Sequence, residues 1–316
     1  MNEKNGSGTV RIGVVGMGPV GSILSAHLLE SGAYVVSCDI SQTRIESIKT
    51  RGICLTNTIE KAVPIMDTCL SATELREYDL DLVAVSVKTP YFKSVLAELE
   101  ETLTEKTFVM SSQNGLDNEA EIAKIFGVDR TLRMVINYAG NLNNDGSVQV
   151  TFFNPPNYVA ALGPKGVETG NQFAELLNAV SLQTIVLDDI RPHSWEKTIL
   201  NAALSPVSAL SRRTMKGIME TDWGVTLVEN IVNESIAVAE AEGIDLGEEF
   251  TQHCIQYLKG GGRHKPSMLI DIEKNLPTEI DYLNGRIVEY GKKHSVPTPV
   301  NRTITTLINL LERNSE

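Results

Sequence analysis

The chain has 316 residues, 42% of them hydrophobic, with 24 glycines, an ordinary globular composition long enough for about two domains and a sizeable core. Disordered, collagen-like and coiled-coil chains are excluded on that basis. Lys+Arg 28 against Asp+Glu 40 leaves a formal charge of −12; a field of that sign repels phosphate backbones and argues against nucleic acid or an anionic membrane as partner.

In chain order, residues 1–8 are polar and are expected to form a frayed tail with no secretory apolar run behind it. Thr9–Val15 is a β-branched apolar run of the kind buried on both faces of a parallel sheet. It enters Gly16-Met17-Gly18-Pro19-Val20-Gly21, and Ser22–Glu30 then carries apolar residues at helical spacing up to Gly32. Tyr34–Cys38 reads as a second strand ending at Asp39, followed by a helix over Thr43–Thr50. Strands are expected at Leu82–Val87 and Thr107–Met110, with helices at Tyr91–Glu100 and Asp117–Phe126. Such alternation implies a parallel sheet covered on both faces. From Thr131 to Asp188 the runs Met134–Tyr138, Val148–Phe153 and Tyr158–Ala161, separated by turn residues, are expected to continue that sheet. Beyond it Ile190–Ala209, Asp222–Glu242, Leu246–Leu258, Ser267–Lys274, Ile280–Lys293 and Val300–Leu311 all read as helices. The expected organisation is therefore α/β, an N-terminal Rossmann domain with a mostly parallel sheet over residues 9–188, then an all-α domain over 189–316.

The glycine run sits between a strand and a helix, the context in which G-x-G-x-x-G binds a dinucleotide. Gly16 permits the tight turn, Gly18 the approach of a pyrophosphate, and Gly21 close helix–strand packing, with Met17, Pro19 and Val20 completing the loop. Asp39, 18 residues past Gly21, stands where an acid bonds the adenosine ribose and disfavours a 2′-phosphate, so it favours NAD(H). Its plainer role is to cap the helix that follows, and Arg44, one helical turn on, is a cation that would counter the NAD(H) preference. Lys88 and Gln113-Asn114-Gly115 end successive strands, the edge where ligands of open α/β sheets bind, and are candidate cofactor contacts.

In the helical half, Lys197 and Asn201 are four apart and share one face of an otherwise apolar helix. An arbitrary lysine is far more often a surface residue. Thr278 reads as an N-cap with Asp281 at N3, which puts Glu279 in the first turn, where an acid commonly does no more than offset the helix dipole. The four cysteines form no C-x-x-C pair and the five histidines lack ligand spacing, so reduced thiols and no metal are expected. With no run near the ~18 apolar residues of a membrane span, the chain is expected to be soluble and cytoplasmic.

The glycine fingerprint, Val87-Lys88-Thr89, Gln113-Asn114-Gly115, Trp195-x-Lys197-x-x-x-Asn201, Ser267-Met268-x-x-Asp271 and Thr278-Glu279-Ile280-Asp281-Tyr282-x-Asn284-Gly285 occur in the same order in 2-dehydropantoate 2-reductases (ketopantoate reductases), which the chain resembles from Val10 to about Leu310. The resemblance implies NADP(H)-dependent reduction of ketopantoate to (R)-pantoate, in pantothenate and coenzyme A biosynthesis. It implies Lys197 as general acid and Glu279 as the carboxylate that pairs with it and touches cofactor and substrate. Asn201, Ser205, Ser267 and Asn114 would contact substrate, and Asn114 and Lys88 the cofactor. Family members are often dimeric, so a homodimer is an option the resemblance leaves open. Two departures stand out. Ser205 occupies a position where many relatives have a second Asn, and Asp39-Ile40-Ser41-Gln42 stands where NADPH-using relatives often have an Arg. They keep open a second reading, a reductase or dehydrogenase of another 2-oxo or 3-hydroxy acid. A third class, a regulator that senses the dinucleotide without turnover, is disfavoured because Lys197 and Glu279 are both present.

Overall fold

The computed structural model describes residues 9–313, with Arg313 described in its backbone alone; the tail expected at residues 1–8 lies outside the described residues. Chain contacts divide the protein into two units. One comprises the residues up to Gln113 and Asp117–Ile190; the other comprises Asn114–Leu116 and the residues from Arg191 on.

In chain order the first unit contains β1 (Arg11–Val15), α1 (Pro19–Glu30), β2 (Tyr34–Cys38), α2 (Gln42–Arg51), β3 (Ile53–Asn57), β4 (Lys61–Val63), β5 (Asp67–Cys69) and β6 (Leu82–Val85). It continues with α3 (Phe92–Glu100), β7 (Phe108–Ser111), α4 (Asn118–Phe126), β8 (Thr131–Val135), β9 (Tyr138–Leu142), β10 (Val148–Phe153), β11 (Asn157–Ala161), α5 (Val167–Asn178) and β12 (Thr184–Val186). Eight strands form one sheet in the order β12-β11-β8-β7-β6-β1-β2-β5. Every neighbouring pair is parallel except β8 with β11, so the sheet is mostly parallel. β1 is an interior strand between β6 and β2, third from the β5 edge, and Ile12 and Val14 face one apolar layer while Val15 faces the other, which is why the run is apolar throughout.

The stretch after Thr131 corrects one expectation. Met134–Tyr138 is split between two sheets, and Val148–Phe153 does not extend the main one. β9 and β10 join β3 and β4 in a separate sheet of order β4-β3-β10-β9. This sheet packs against α1, whose other side lies on β1 and β2. Gly21–Leu28 are consequently buried with no polar face. His27 is among them: its Nδ1 pairs with the Ile23 carbonyl at 2.7 Å, its ring stacks on Phe153, and burial lowers its pKa so that the neutral imidazole is favoured.

The second unit is helical: α6 (Arg191–Ser211), α7 (Met215–Met219), α8 (Asp222–Ala241), α9 (Phe250–Gly260), α10 (Ser267–Glu273), α11 (Asn284–His294) and α12 (Pro299–Arg313). α6 runs through its core, with Ile199, Ala202 and Ala203 fully buried among Val228, Ile231, Ile287 and Ile308. The helix expected over Ile280–Lys293 is instead a 3₁₀ turn at Ile280–Tyr282 followed by α11, so Glu279 precedes a 3₁₀ turn rather than sitting in an α-helical first turn.

Candidate active site

Gly16 has φ +96°, a conformation that strains any side chain, and a Cβ there would stand 2.7 Å from the Val87 nitrogen. The loop after β6, with Lys88 next in line, thus lies against the glycine turn. A Cβ on Gly21 would come within 2.0 Å of the Gly16 oxygen, so α1 approaches the turn as only glycine allows. Above Gly18 the space is open. Gly18 caps α1 with no side-chain hydrogen bond, Pro19 follows, and the first turn holds no acid. Backbone donors and the helix dipole therefore meet an uncapped, acid-free end, which fits a pyrophosphate; Gly16–Gly21 are the residues that would hold it.

Asp39 ends β2 beside this loop. Its Oδ2 accepts the Met17 N–H at 2.7 Å and its Oδ1 the Ser41 N–H at 2.9 Å. The cap of α2 is Ser41, whose Oγ accepts from the Arg44 N–H at 3.3 Å, so Asp39 is not that helix's cap. A carboxylate has about four lone-pair positions, so Asp39 retains capacity for a ribose hydroxyl. Arg44 does not offer its charge outward. Its guanidinium is buried and donates to the Met17 carbonyl at 2.8 Å, to Ser22 Oγ at 2.7 Å and to the Gly146 carbonyl. The underside of the glycine loop is thus held by Arg44, a role that arises from a contact 27 residues away and left no local signal. Gln113 is likewise committed inside the first unit: its amide donates to the Val87 carbonyl at 2.9 Å and accepts from Ser111 Oγ at 2.9 Å.

The remaining candidates gather in the second unit. Lys197 and Asn201 lie on successive turns of α6, both half-buried, with Ser205 buried one turn further on. Around them α6 is fixed by Trp195, whose ring meets that of Tyr290 edge-on at 5.2 Å. Crowding by protein pushes the Lys197 amine down from 10.5 to about 8, the nearby Glu196 charge offsetting only part of the desolvation. Such an amine is protonated at neutral pH yet gives up its proton readily, which suits a general acid. Its pKa is not that of the solvated surface lysine, the commonplace alternative.

Glu279 precedes a turn anchored from several sides. The Thr278 N–H donates to Glu312 Oε1 at 2.7 Å, Asn309 Nδ2 to Asp281 Oδ1 at 3.0 Å, and the Tyr282 N–H to the Glu279 carbonyl at 3.0 Å. On this turn rests Asn114–Leu116: a Cβ on Gly115, which has φ +94°, would lie 2.6 Å from the Tyr282 oxygen, and the Leu116 N–H donates to that oxygen at 3.3 Å. Asn114, which the strand pattern puts at the sheet's edge, therefore belongs with the Glu279 turn. Ser267 is exposed at the start of α10, a helix that packs on α6. The sequence motif includes Asn284 but gives it no role and does not reach Asn301; the two are fully buried and hydrogen-bonded to each other. A buried polar pair this far apart in sequence has no periodic signature. Among the described residues no group of three or more His, Cys, Asp or Glu is arranged to hold a metal, and no helix is long and apolar enough to cross a membrane.

Two sequence profiles match the chain, "Ketopantoate reductase PanE/ApbA" over residues 12–163 and "Ketopantoate reductase PanE/ApbA C terminal" over 189–312. A 2-dehydropantoate 2-reductase of Streptococcus pyogenes serotype M3 is 27% identical over 303 residues, covering 95% of this chain and 97% of that protein. The structure of a PanE/ApbA family ketopantoate reductase from Ralstonia eutropha JMP134 shares the fold, with TM-score 0.87 and 23% identity over 96% of this chain and 99% of that one. D-Mandelate dehydrogenase, solved with NADH and anilino(oxo)acetate, is 25% identical with TM-score 0.84, again over 96% and 99% of the two chains. With relatives of this kind along the chain, a glycine loop that fits a pyrophosphate and a helical unit carrying Lys197, the protein is an NAD(P)-dependent oxidoreductase. Matched by both profiles and by relatives along nearly its whole length, the chain belongs to the ketopantoate reductase PanE/ApbA family, whose members act on a small keto acid.

Proposed function

We propose that the protein is a 2-dehydropantoate 2-reductase, reducing the C2 ketone of ketopantoate to (R)-pantoate for pantothenate and coenzyme A synthesis. The observation that carries this reading is the placement of Lys197 half-buried on α6 with Asn201 one turn away, where desolvation pushes the amine down to about 8. A reduced dinucleotide held at Gly16–Gly21 would supply the hydride for the carbonyl carbon. Lys197 hydrogen-bonds the carbonyl oxygen, stabilises the negative charge that grows there and delivers its proton to the alkoxide. Glu279 pairs with that lysine and holds the substrate hydroxyl, while Asn201, Ser205, Ser267 and Asn114 bond the substrate's polar groups. Gly16–Gly21, Asp39, Lys88 and Asn114 hold the cofactor. With its carboxylate directed at the glycine loop, Asp39 makes NADH the preferred donor. The same reading makes the protein a cytoplasmic enzyme.

A second reading is favoured by Ser205. A hydroxyl is smaller than the carboxamide many relatives carry, and the space it leaves suits a bulkier 2-oxo acid such as phenylglyoxylate, in keeping with the likeness to D-mandelate dehydrogenase. Loss of absorbance at 340 nm decides between them. Values of kcat/KM are compared for ketopantoate, 2-oxoisovalerate and phenylglyoxylate with each cofactor. The first reading requires ketopantoate to lead by at least about tenfold; a lead by phenylglyoxylate replaces it with the second. Silence with every acid and both cofactors would overturn both.

A further inference from the structure

Helix α6 contains Pro206, well inside its span of Arg191–Ser211. Proline has no N–H, so the Ala202 carbonyl, four residues earlier, lacks its ordinary helical partner. Ala202 is fully buried, and a buried carbonyl without a donor is costly. The missing donor arrives from another helix: Asn284 Nδ2 lies 3.1 Å from the Ala202 oxygen. The same nitrogen donates its second proton to Asn301 Oδ1 at 3.0 Å. That oxygen must be the acceptor, because Asn301 Nδ2 donates to Glu234 Oε2 at 2.8 Å and to the Ile231 carbonyl at 3.3 Å. Glu234 in turn accepts the Val300 and Asn301 N–H groups at 2.8 and 2.9 Å. Proton bookkeeping along this chain leaves the Asn284 amide a single orientation. Its oxygen has no partner among the described residues, so the side chain is kept in place for its two donors.

The location matters because of what lies on either side. Ala202 follows Asn201 directly and stands five residues beyond Lys197, while Asn284 stands five residues beyond Glu279. One hydrogen bond therefore joins the helix bearing the acid to the first residue of α11, the helix that directly follows the turn bearing its carboxylate. We propose that Asn284 is a positioning residue: by replacing the hydrogen bond that Pro206 removes, it sets the Lys197–Asn201 turns of α6 in register with the Glu279 turn. This rests on the assignment of Lys197 and Glu279 made above.

The proposal makes Asn284 dispensable once α6 can satisfy itself. In Pro206→Ala the new backbone N–H bonds Ala202 within the helix. Three variants of the full chain are compared with wild type: Asn284→Leu, Pro206→Ala and the double variant, with ketopantoate and NADH. The expected result is a fall in kcat of about 10- to 100-fold for Asn284→Leu, with the alkaline limb of its pH profile displaced from about 8 toward the ordinary lysine value. Pro206→Ala should stay within about threefold of wild type, and the double variant should recover to within about threefold of Pro206→Ala. Should Asn284→Leu be insoluble, Asn284→Ser, whose hydroxyl is too short to reach Ala202, carries the same comparison. The idea is overturned if Asn284→Leu lowers only the melting temperature, with kcat and the limb unmoved, or if the double variant loses as much as Asn284→Leu. A ¹³C-lysine NMR titration, with the Lys197 resonance assigned by its loss in Lys197→Arg, reads the same displacement and rescue without turnover. An inactive wild type would therefore refute the assigned reaction while this titration still decided the role of Asn284.

Discussion

Replacing Asp39 with alanine separates two tasks that the structure gives to one carboxylate. The first is structural: Asp39 accepts the Met17 N–H at 2.7 Å and the Ser41 N–H at 2.9 Å. Hydrogen bonds to a charged acceptor contribute about 1.5–3 kcal/mol each when well shielded. Asp39 is only half-buried and water can replace part of each bond, so the loss should be about 2 kcal/mol, or a drop in Tm of about 4–8 °C for a domain of this size. The second task is electrostatic. Repulsion between unit charges 4 Å apart runs from about 1 kcal/mol in water to about 4 kcal/mol near a protein surface. For a half-exposed acid facing a 2′-phosphate, about 1.5–2 kcal/mol is reasonable, which is a tenfold to thirtyfold change in preference. The assay measures kcat/KM with NADPH and with NADH, at fixed ionic strength, for wild type, Asp39→Ala and Asp39→Asn. Both variants should move the ratio toward NADPH, and Asp39→Asn, which keeps one acceptor oxygen, should lose less Tm. A ratio unchanged within twofold, alongside the expected loss of Tm, would show that Asp39 only secures the glycine loop and takes no part in choosing the cofactor.

Three other substitutions test separate parts of the site. Gly21→Ala puts a methyl 2.0 Å from the Gly16 oxygen, so α1 must move off the turn; NADH affinity by fluorescence titration should fall at least tenfold, and wild-type affinity would mean the loop does not bind the pyrophosphate. Lys197→Ala should lower kcat by about 10²–10⁴, the usual loss on removing a general acid, and near-normal turnover would remove Lys197 from the mechanism. Glu279→Gln should lower kcat while changing Tm by no more than a few degrees, since Thr278, Asp281 and backbone groups anchor the turn; a large Tm loss with normal kinetics would assign that carboxylate to the fold.

What could be read from the sequence follows from the range over which each interaction acts. β2 and β10 begin and end where their apolar runs do, α1 ends just before Gly32, and α8 spans nearly the expected Asp222–Glu242, because these elements are specified by neighbouring residues. The glycine turn was legible for the same reason, its steric demands lying within six residues. The second sheet was not. β3 and β4 are five and three residues long, and β10 reaches β3 across about 90 positions, so no local period announces the pairing. The expectation that β9 and β10 would extend the main sheet failed there, as did the reading of Arg44, whose buried guanidinium is recruited by Met17, Ser22 and Gly146. Glu279 was assigned to an α-helical first turn from Thr278 and Asp281; the chain forms a 3₁₀ turn first, because Thr278 and Asp281 are both tied to α12. Asn284 shows the limit most clearly. The defect it repairs lies 82 residues away, in a carbonyl left open by a proline, and only folding brings the two together.

The central claim, that the Lys197 ammonium protonates a ketone as hydride reaches its carbon, is tested most directly by the pH dependence of kcat/KM for wild type beside Lys197→Arg. An amine at about 8 in the free enzyme must be charged to act, so wild-type log kcat/KM for reduction should be level below that value and fall with unit slope above it. In Lys197→Arg, whose guanidinium keeps its proton beyond pH 12, whatever activity remains should show no such limb up to pH 10. A wild-type profile level through pH 10, or the same limb in the arginine variant, would contradict the account.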